Sequence, residues 1–119
     1  MKYLPLLLLI ASISANAQAT GTATLTWTGV PGDISSGAAT GFNVYRANVA
    51  CPATGTPAGM ALQKSLPITT LTYVDSNLAV GSYCWDVTAT GPSGESVPSN
   101  TAGKSIFGAP SAPTGLIVK

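Results

Sequence analysis

The strongest constraint on the fold is the alternation of side chains along residues 81–91, GSYCWDVTATG. Large apolar residues fall on one side of an extended chain here: Tyr83, Trp85, Val87 and Ala89. Smaller or polar residues fall on the other side: Cys84, Asp86 and Thr88. Successive side chains of a β-strand point to opposite faces, so this period of two predicts a strand with one buried face and one outward face.

Five further segments show weaker forms of the same pattern. They are ATLTWT (23–28), FNVYR (42–46), MALQKSL (60–66), TLTYVD (70–75) and SNTAGKSIF (99–107). The 13 glycines and 9 prolines of the chain interrupt it too often for long helices. Six strands within about 85 residues, separated by turn residues, predict an antiparallel sandwich of two sheets.

The first 17 residues have the features of a secretory signal peptide. A positively charged start precedes an apolar run from Leu4 to Ile13, and Ala15 and Ala17 form an A-x-A cleavage pattern. The run is too short to span a bilayer, which takes about 20 apolar residues. We therefore expect cleavage after Ala17 and a secreted protein that is extracellular, periplasmic or on a cell surface. An uncleaved N-terminal anchor is the alternative.

Export makes a disulfide the expected state of the two cysteines, Cys51 and Cys84. Cys84 lies on the outward face of its strand, and Cys51 lies just past the FNVYR strand. If these two strands are neighbours, the loop that carries Cys51 can reach across the outer face of the sheet. A pair of unlinked thiols is the alternative.

The charges that remain after residue 17 argue against two classes of partner. Four basic and four acidic side chains balance: Arg46, Lys64, Lys104 and Lys119 against Asp33, Asp75, Asp86 and Glu95. Nucleic-acid binding needs a clustered basic face, and attraction to a membrane surface needs a polybasic one. We therefore expect no nucleic-acid partner, and no membrane partner once the signal peptide has been removed.

The ordered set of these segments resembles the fibronectin type III family from about Thr22 to Ile106. The matching segments are LTW, GFNVYR and TTLTYVDSNLAVGSYCWDVTATGPSGESVPSN. The resemblance implies an all-β, immunoglobulin-like antiparallel sandwich. It also implies that Leu78 and Tyr83 form a tyrosine corner, in which the Tyr hydroxyl bonds to nearby backbone. The expected core residues are Trp27, Val44, Leu78, Tyr83, Trp85 and Val87.

One departure from the family concerns its first strand. Only Gln18 to Gly21 precede the segment that resembles the second strand, and four residues do not hold a strand and a turn. A strand-like run, Leu116, Ile117 and Val118, instead follows the segment that resembles the last strand. We therefore expect a domain over residues 18–107, with its usual first strand missing, and a Pro/Gly linker with a strand-like tail over 108–119.

Three interpretations of this tail remain open. It is a flexible extension or the remnant of a second domain, or it inserts into its own domain, or it is donated to another copy of the chain. Insertion in the family's strand direction requires the chain to return the length of the domain, on the order of 25–35 Å, whereas the linker GAPSAP spans at most about 20–22 Å. An antiparallel fit of the tail into the vacant edge of its own domain stays open.

Residues able to carry catalysis are scarce. The chain has no histidine, and the four acids are expected to lie apart, with Asp33 in a loop, Asp75 after a strand as a turn cap, Asp86 facing outward and Glu95 in a turn. Two lone cysteines do not make a metal site. We therefore expect no enzymatic activity, no metal and no cofactor.

Binding sites in such sandwiches lie on end loops and exposed sheet faces. The segments Gly29–Gly41 and Gly91–Ser96 are expected at one end, which makes Asp33 and Glu95 candidate binding residues. Tyr45 on the outer face is a candidate for stacking on a sugar, or a strand tyrosine that packs beside the disulfide. We expect a structural or adhesive module at a cell or virion surface, which binds protein, carbohydrate or copies of itself. The alternative is a monomeric accessory module that binds carbohydrate or protein.

Overall fold

The computed structural model describes residues 20–29 and 38–119. The regular secondary structure of that part consists of β-strands alone. In chain order, the strands are β1 (Thr20–Thr26), β2 (Gly41–Ala47), β3 (Ala61–Pro67), β4 (Thr72–Ala79), β5 (Gly81–Gly91), β6 (Gly94–Glu95) and β7 (Ala102–Ile106). The expected signal peptide and Asp33 lie outside the described residues.

The strands form two antiparallel sheets. One sheet consists of β1 and β4. In the other, β3 pairs with β2 and β2 with β5, while the remaining edge of β5 pairs with β7 near its start and with β6 near its end. The expected all-β, immunoglobulin-like antiparallel sandwich is confirmed.

The predicted end of the fourth strand is wrong. The strand was expected to stop at Asp75, but β4 continues to Ala79. Asn77 adopts a positive φ of 58°, and a register shift lies opposite it in β1, between Gly21 and Ala23. Asparagine tolerates this backbone region better than most residues. Asp75 therefore lies inside a strand and is buried, and it is not a turn cap.

The predicted start of the last strand is also wrong. It was expected at Ser99, but β7 begins at Ala102. Before that point two serines hold the chain beside β5. Ser99 Oγ accepts a hydrogen bond of 3.0 Å from the Val87 amide, and Ser96 Oγ accepts one of 2.9 Å from the Ala89 amide. The amides of both serines also donate to the carbonyls of the same two residues, each at 2.8 Å. Pro98 lies between the two serines and has no amide hydrogen to offer a ladder.

Apolar side chains from both sheets fill the space between them. The buried cluster consists of Ala23, Val44, Leu78, Tyr83, Trp85 and Ile106. Trp27 and Val87 are partly buried and pack against this cluster. The Trp27 ring also meets Phe42 edge-on, with ring centroids 5.5 Å apart.

Polar contacts also connect the sheets and turns. Tyr83 donates a hydrogen bond of 2.8 Å from its hydroxyl to the carbonyl of Ala79, which is the contact of a tyrosine corner. Arg46 donates to Asp75 at 2.9 Å, and its guanidinium carbon lies 5.3 Å from the centre of the Tyr83 ring. Because Asp75 is on β4 and Arg46 on β2, this ion pair crosses from one sheet to the other.

The expected disulfide between Cys51 and Cys84 is confirmed, with an S–S distance of 2.04 Å. It crosses the outer face of the five-stranded sheet, where Gly103 of β7 is the register partner of Cys84. A side chain at Gly103 would place its Cβ 3.0 Å from the sulfur of Cys51. Glycine at this position therefore lets the loop lie close to the sheet.

Residues 107–119 form no regular secondary structure. Within the described part of the chain, no helix is long and apolar enough to cross a membrane.

Candidate functional site: an open sheet edge

The two-stranded sheet leaves one edge of β1 without a strand among the described residues. β1 pairs with β4 on one side, and β4 pairs with no further strand in that part of the chain. An unpaired edge presents a row of backbone donors and acceptors to solvent, which is a template for another strand. The place beside β1 is where the family's first strand was expected and not found.

The backbone groups on this edge are identified by the ladder between β1 and β4. Trp27 donates its amide hydrogen to Leu71 at 3.1 Å, and the Leu25 carbonyl accepts from the Thr72 hydroxyl at 2.9 Å, so both residues face β4. In an antiparallel pair, alternate residues point their backbone groups away from the partner strand. Thr24 and Thr26 therefore offer their N–H and C=O groups at the open edge.

A groove of about 750 Å³ runs along this edge, between the two sheets. β1 contributes residues 23–28, and the opposite wall includes residues of the 99–104 segment. The inward-facing side chains of Trp85 and Val87 also line it. The volume lies within the usual range of binding pockets, about 300–1,000 Å³. The groove therefore combines apolar surface with unpaired strand backbone.

One end of the groove is closed. Lys104 donates a hydrogen bond of 2.6 Å from Nζ to the carbonyl of Thr22. A Cβ added at Gly21 would lie 2.6 Å from Ile106, which shows how closely β1 and β7 approach there. The start of β1 and the end of β7 are therefore in contact. On the β1 side, the groove begins at Ala23 and extends to Thr28.

Trp27 lines the groove and carries an unsatisfied donor. Its indole Nε1 is buried and has no hydrogen-bond partner among the described residues. A buried N–H without an acceptor costs free energy, so such a group favours any rearrangement or ligand that supplies one.

The predicted strand-donating residues lie in solvent. Leu116, Ile117 and Val118 are 95%, 70% and 96% exposed. They form no strand and enter no core in the described chain. Insertion of the tail into its own domain, one of the three interpretations of the sequence, is not seen. The described part of the chain thus presents an unpaired apolar segment and an unpaired strand edge at the same time.

The predicted binding residues Tyr45 and Glu95 are brought together on the outer face of the other sheet. The Glu95 carboxylate accepts hydrogen bonds from the hydroxyls of Tyr45 and Thr88 and, at 3.4 Å, from the amide of Asn43. These bonds attach β6 to the sheet and use the Tyr45 hydroxyl internally. The structure does not describe Asp33, the third predicted binding residue.

The hydrogen bonds in this cluster shift two pKa values in opposite directions. Donation from Thr88 and then from Tyr45 lowers the pKa of Glu95, because both hydroxyls stabilise the carboxylate. The bond to Glu95, followed by burial, raises the pKa of Tyr45, because ionisation removes the hydrogen that the phenol donates to the carboxylate.

Asp86 lies within electrostatic reach of Glu95. Burial raises the pKa of Asp86, and the negative charge of Glu95 raises it further. The described residues contain no group of three or more His, Cys, Asp or Glu side chains able to hold a metal.

Sequence reasoning missed the groove walls. Ser99, Asn100 and Lys104 line the groove, but their sequence shows only a weak polar strand. The one indication in the sequence was the missing first strand. It predicts an empty position beside β1 but does not predict the shape of the groove there.

No family model matches the chain, and no curated protein matches it.

Proposed function

We propose that this protein is an exported, non-catalytic module of the fibronectin type III kind with a structural or adhesive role at a cell or virion surface. It associates with copies of itself through the open edge of β1. The observation that carries the proposal is the groove along that edge, which joins apolar side chains to unpaired backbone. Strand addition uses this combination, since main-chain hydrogen bonds supply affinity and side-chain pockets supply specificity.

Three further features support this assignment. The hydrogen bond from Tyr83 to Ala79 is the tyrosine-corner contact that the family resemblance implies. The disulfide between Cys51 and Cys84 fits an oxidising compartment, where exported proteins fold. A low charged fraction, 8% of residues, also leaves little electrostatic repulsion between neighbouring copies.

A proline in the open edge tests the proposal. Thr26→Pro removes an amide hydrogen that faces away from β4, so the internal ladder is kept while a strand that pairs with β1 loses a donor. The matched control is Ser65→Pro on β3, the edge of the other sheet. Ile68 donates its amide hydrogen to Thr40, so the alternate residues 67 and 65 point their backbone groups away from β2. Position 67 is already a proline, which agrees with this assignment for Ser65.

The measurement is light scattering of the purified exported protein over a wide concentration range, with circular dichroism to confirm folding. We expect wild type and Ser65→Pro to form large assemblies and Thr26→Pro to stay monomeric. Thr24→Pro provides a second edge variant if Thr26→Pro does not fold. A wild-type protein that is monomeric at the highest concentration would overturn self-association, and assembly by both edge variants would overturn the role of β1.

A further inference from the structure

We propose that the strand which fills the groove is the segment Thr114–Lys119 of a second copy, lying antiparallel to β1 with Leu116 and Val118 directed into the core. This inference rests on the proposed self-association through β1 and names the partner of that same edge.

The exposed surface of the segment indicates that it has a binding partner. Three consecutive aliphatic side chains, Leu116, Ile117 and Val118, are exposed in the single chain. Contiguous exposed apolar surface of this kind marks an interaction site. Ile117 and Val118 are of residue types that favour strands, and a strand with unpaired backbone is also what the edge of β1 requires.

The choice of face follows from the residues on either side. A strand that directs Leu116 and Val118 inward directs Ile117 and Lys119 outward, where the ammonium group of Lys119 stays in water. The opposite choice would direct Lys119 inward together with Ile117, next to the core. A lysine is rarely buried without a partner, so the first arrangement is favoured.

The inward positions of β1 match this arrangement. Ala23, Leu25 and Trp27 face the core, whereas Thr24 and Thr26 are exposed. Residues directly opposite one another on paired strands point to the same face, so Leu116 and Val118 lie beside two of the three inward positions. The inserted strand also brings backbone carbonyls into the groove that Trp27 lines, where its indole N–H lacks an acceptor among the described residues.

The direction of the strand follows from the two ends of the groove. The contacts of Lys104 with Thr22 and of Ile106 with Gly21 close one end, so a strand enters from the Thr28 end. Entering there, it runs antiparallel to β1, as does β4 on the other side. Antiparallel pairing is also slightly more stable per residue than parallel pairing.

The donor is a second copy because its own chain leaves from the wrong end. β7 finishes at Ile106, beside the closed end, whereas the strand enters at the opposite end. To reach its own groove, the chain would have to reverse after β7, run back along the groove and reverse again. Pro110 and Pro113 favour an extended backbone over such reversals. Extended, the six residues 108–113 span about 20 Å, which is enough to bridge to a neighbour.

This contact joins two different surfaces, a groove on one copy and a tail on the next. Such heterologous contacts generate open chains, or rings when the rotation closes. Each copy then donates one strand and accepts one. The sandwich that results has the strand beside β1 that a single described chain lacks.

Three aspartate variants of the tail test the proposal. Leu116→Asp and Val118→Asp place a charge on the inserted face, and Ile117→Asp, the matched control, places the same charge on the outward face. None threatens folding, because all three side chains are exposed in the single chain. We expect Leu116→Asp and Val118→Asp to weaken assembly at least 100-fold in light scattering and Ile117→Asp less than 10-fold.

The outcomes separate this proposal from the proposed function. If wild type assembles, Thr26→Pro does not, and Leu116→Asp assembles like wild type, the edge is used but its occupant is another segment. If Ile117→Asp weakens assembly as much as Leu116→Asp does, the assigned face is wrong. A monomeric wild type in which the amides of residues 116 and 118 resist hydrogen exchange would show insertion within one chain. Each of these results overturns the inference.

Discussion

Trp85 donates a hydrogen bond of 2.9 Å from its indole nitrogen to Oδ2 of Asp75, across the interface between the two sheets. The same carboxylate oxygen accepts from Arg46, also at 2.9 Å. Asp75 is almost fully buried, with 6% of its surface exposed. Two donors on the five-stranded sheet thus depend on one acceptor on β4, and this acceptor positions β4, and with it β1, against the rest of the core.

Removal of the shared acceptor is expected to be costly. Asp75→Ala leaves the indole N–H of Trp85 and the guanidinium of Arg46 without their partner in a poorly solvated site. Loss of one member of a buried ion pair costs about 3–5 kcal/mol. We expect the free energy of unfolding, measured by urea denaturation, to fall by about 3 kcal/mol, toward the lower limit because Arg46 is partly solvated.

The control for this prediction is Val74→Ala, the neighbouring residue of β4, whose side chain is mostly exposed. It should change the free energy of unfolding by no more than about 0.5 kcal/mol. Equal and small effects of the two substitutions would show that the contact between Asp75 and Trp85 contributes little to stability.

The role of Asp75 illustrates what local sequence does not reveal. The alternation of side chains predicted the strand, but Asp75 was expected to follow it as a turn cap and not to lie inside it. A carboxylate is rarely buried without a partner, and no residue near Asp75 in the sequence indicates one. The residue was therefore expected to lie beyond the end of the strand. Its partner Arg46 lies 29 residues away, on the other sheet. Pairing across a sandwich depends on the packing of both sheets, which a period of two does not specify.

The disulfide is expected to contribute substantially to stability. Cys51 and Cys84 are separated by 33 residues, and the chain-entropy model gives roughly 3–4 kcal/mol for a loop of this size. The double variant Cys51→Ala/Cys84→Ala should lose an amount of this order in urea denaturation, with a lower midpoint. The double variant avoids the free thiol that either single substitution would leave. A midpoint equal to that of the oxidised parent would contradict this expectation.

The buried carboxyl of Asp86 gives a prediction about pH. Burial raises its folded-state pKa, so the folded protein binds this proton more tightly than the unfolded chain. The contribution of this group to stability is therefore lost as the pH rises from the ordinary aspartate range through the raised folded pKa. Asp86→Asn has no charge to bury, so we expect its melting temperature to exceed that of wild type at neutral pH.

The difference in melting temperature should shrink as the pH falls below the ordinary pKa of an aspartate, where the wild-type carboxyl is protonated in both states. Thermal melts of wild type and Asp86→Asn over a pH series measure it. A stabilisation that is constant across the series, or that grows toward acid, would contradict the assigned cause.

Substitution of Glu95 should lower the pKa of Tyr45. The bond to the Glu95 carboxylate is the largest cause that raises this phenol's pKa. In Glu95→Gln the acceptor is neutral, so we expect the pKa of Tyr45 to fall toward the ordinary tyrosine value in an NMR titration of the ring carbons. Tyr73 is an internal control, because its pKa is raised by burial and by Asp75, not by Glu95. Equal shifts at both tyrosines would indicate a general loosening of the structure.

The groove was predictable only in outline. The expected cleavage after Ala17 left only Gln18–Gly21 for the family's first strand, so a missing strand was expected, and the run Leu116–Val118 indicated a replacement. The opposite wall was not predictable. It depends on Ser96 and Ser99 binding the backbone of β5 through both their side chains and their own amides, which holds the irregular segment around Pro98 against the sheet. Serine hydroxyls near a proline are common in loops and do not by themselves indicate a groove.

The central claim is that β1 of one copy accepts the tail of another. The most direct test mixes Thr26→Pro, which retains a donor tail, with Leu116→Asp, which retains an open groove, and measures the mass by light scattering after size exclusion. Each variant should be monomeric alone, and the mixture should form a one-to-one heterodimer, with the Thr26→Pro tail in the Leu116→Asp groove. A mixture that remains monomeric, while wild type assembles under the same conditions, would contradict the claim.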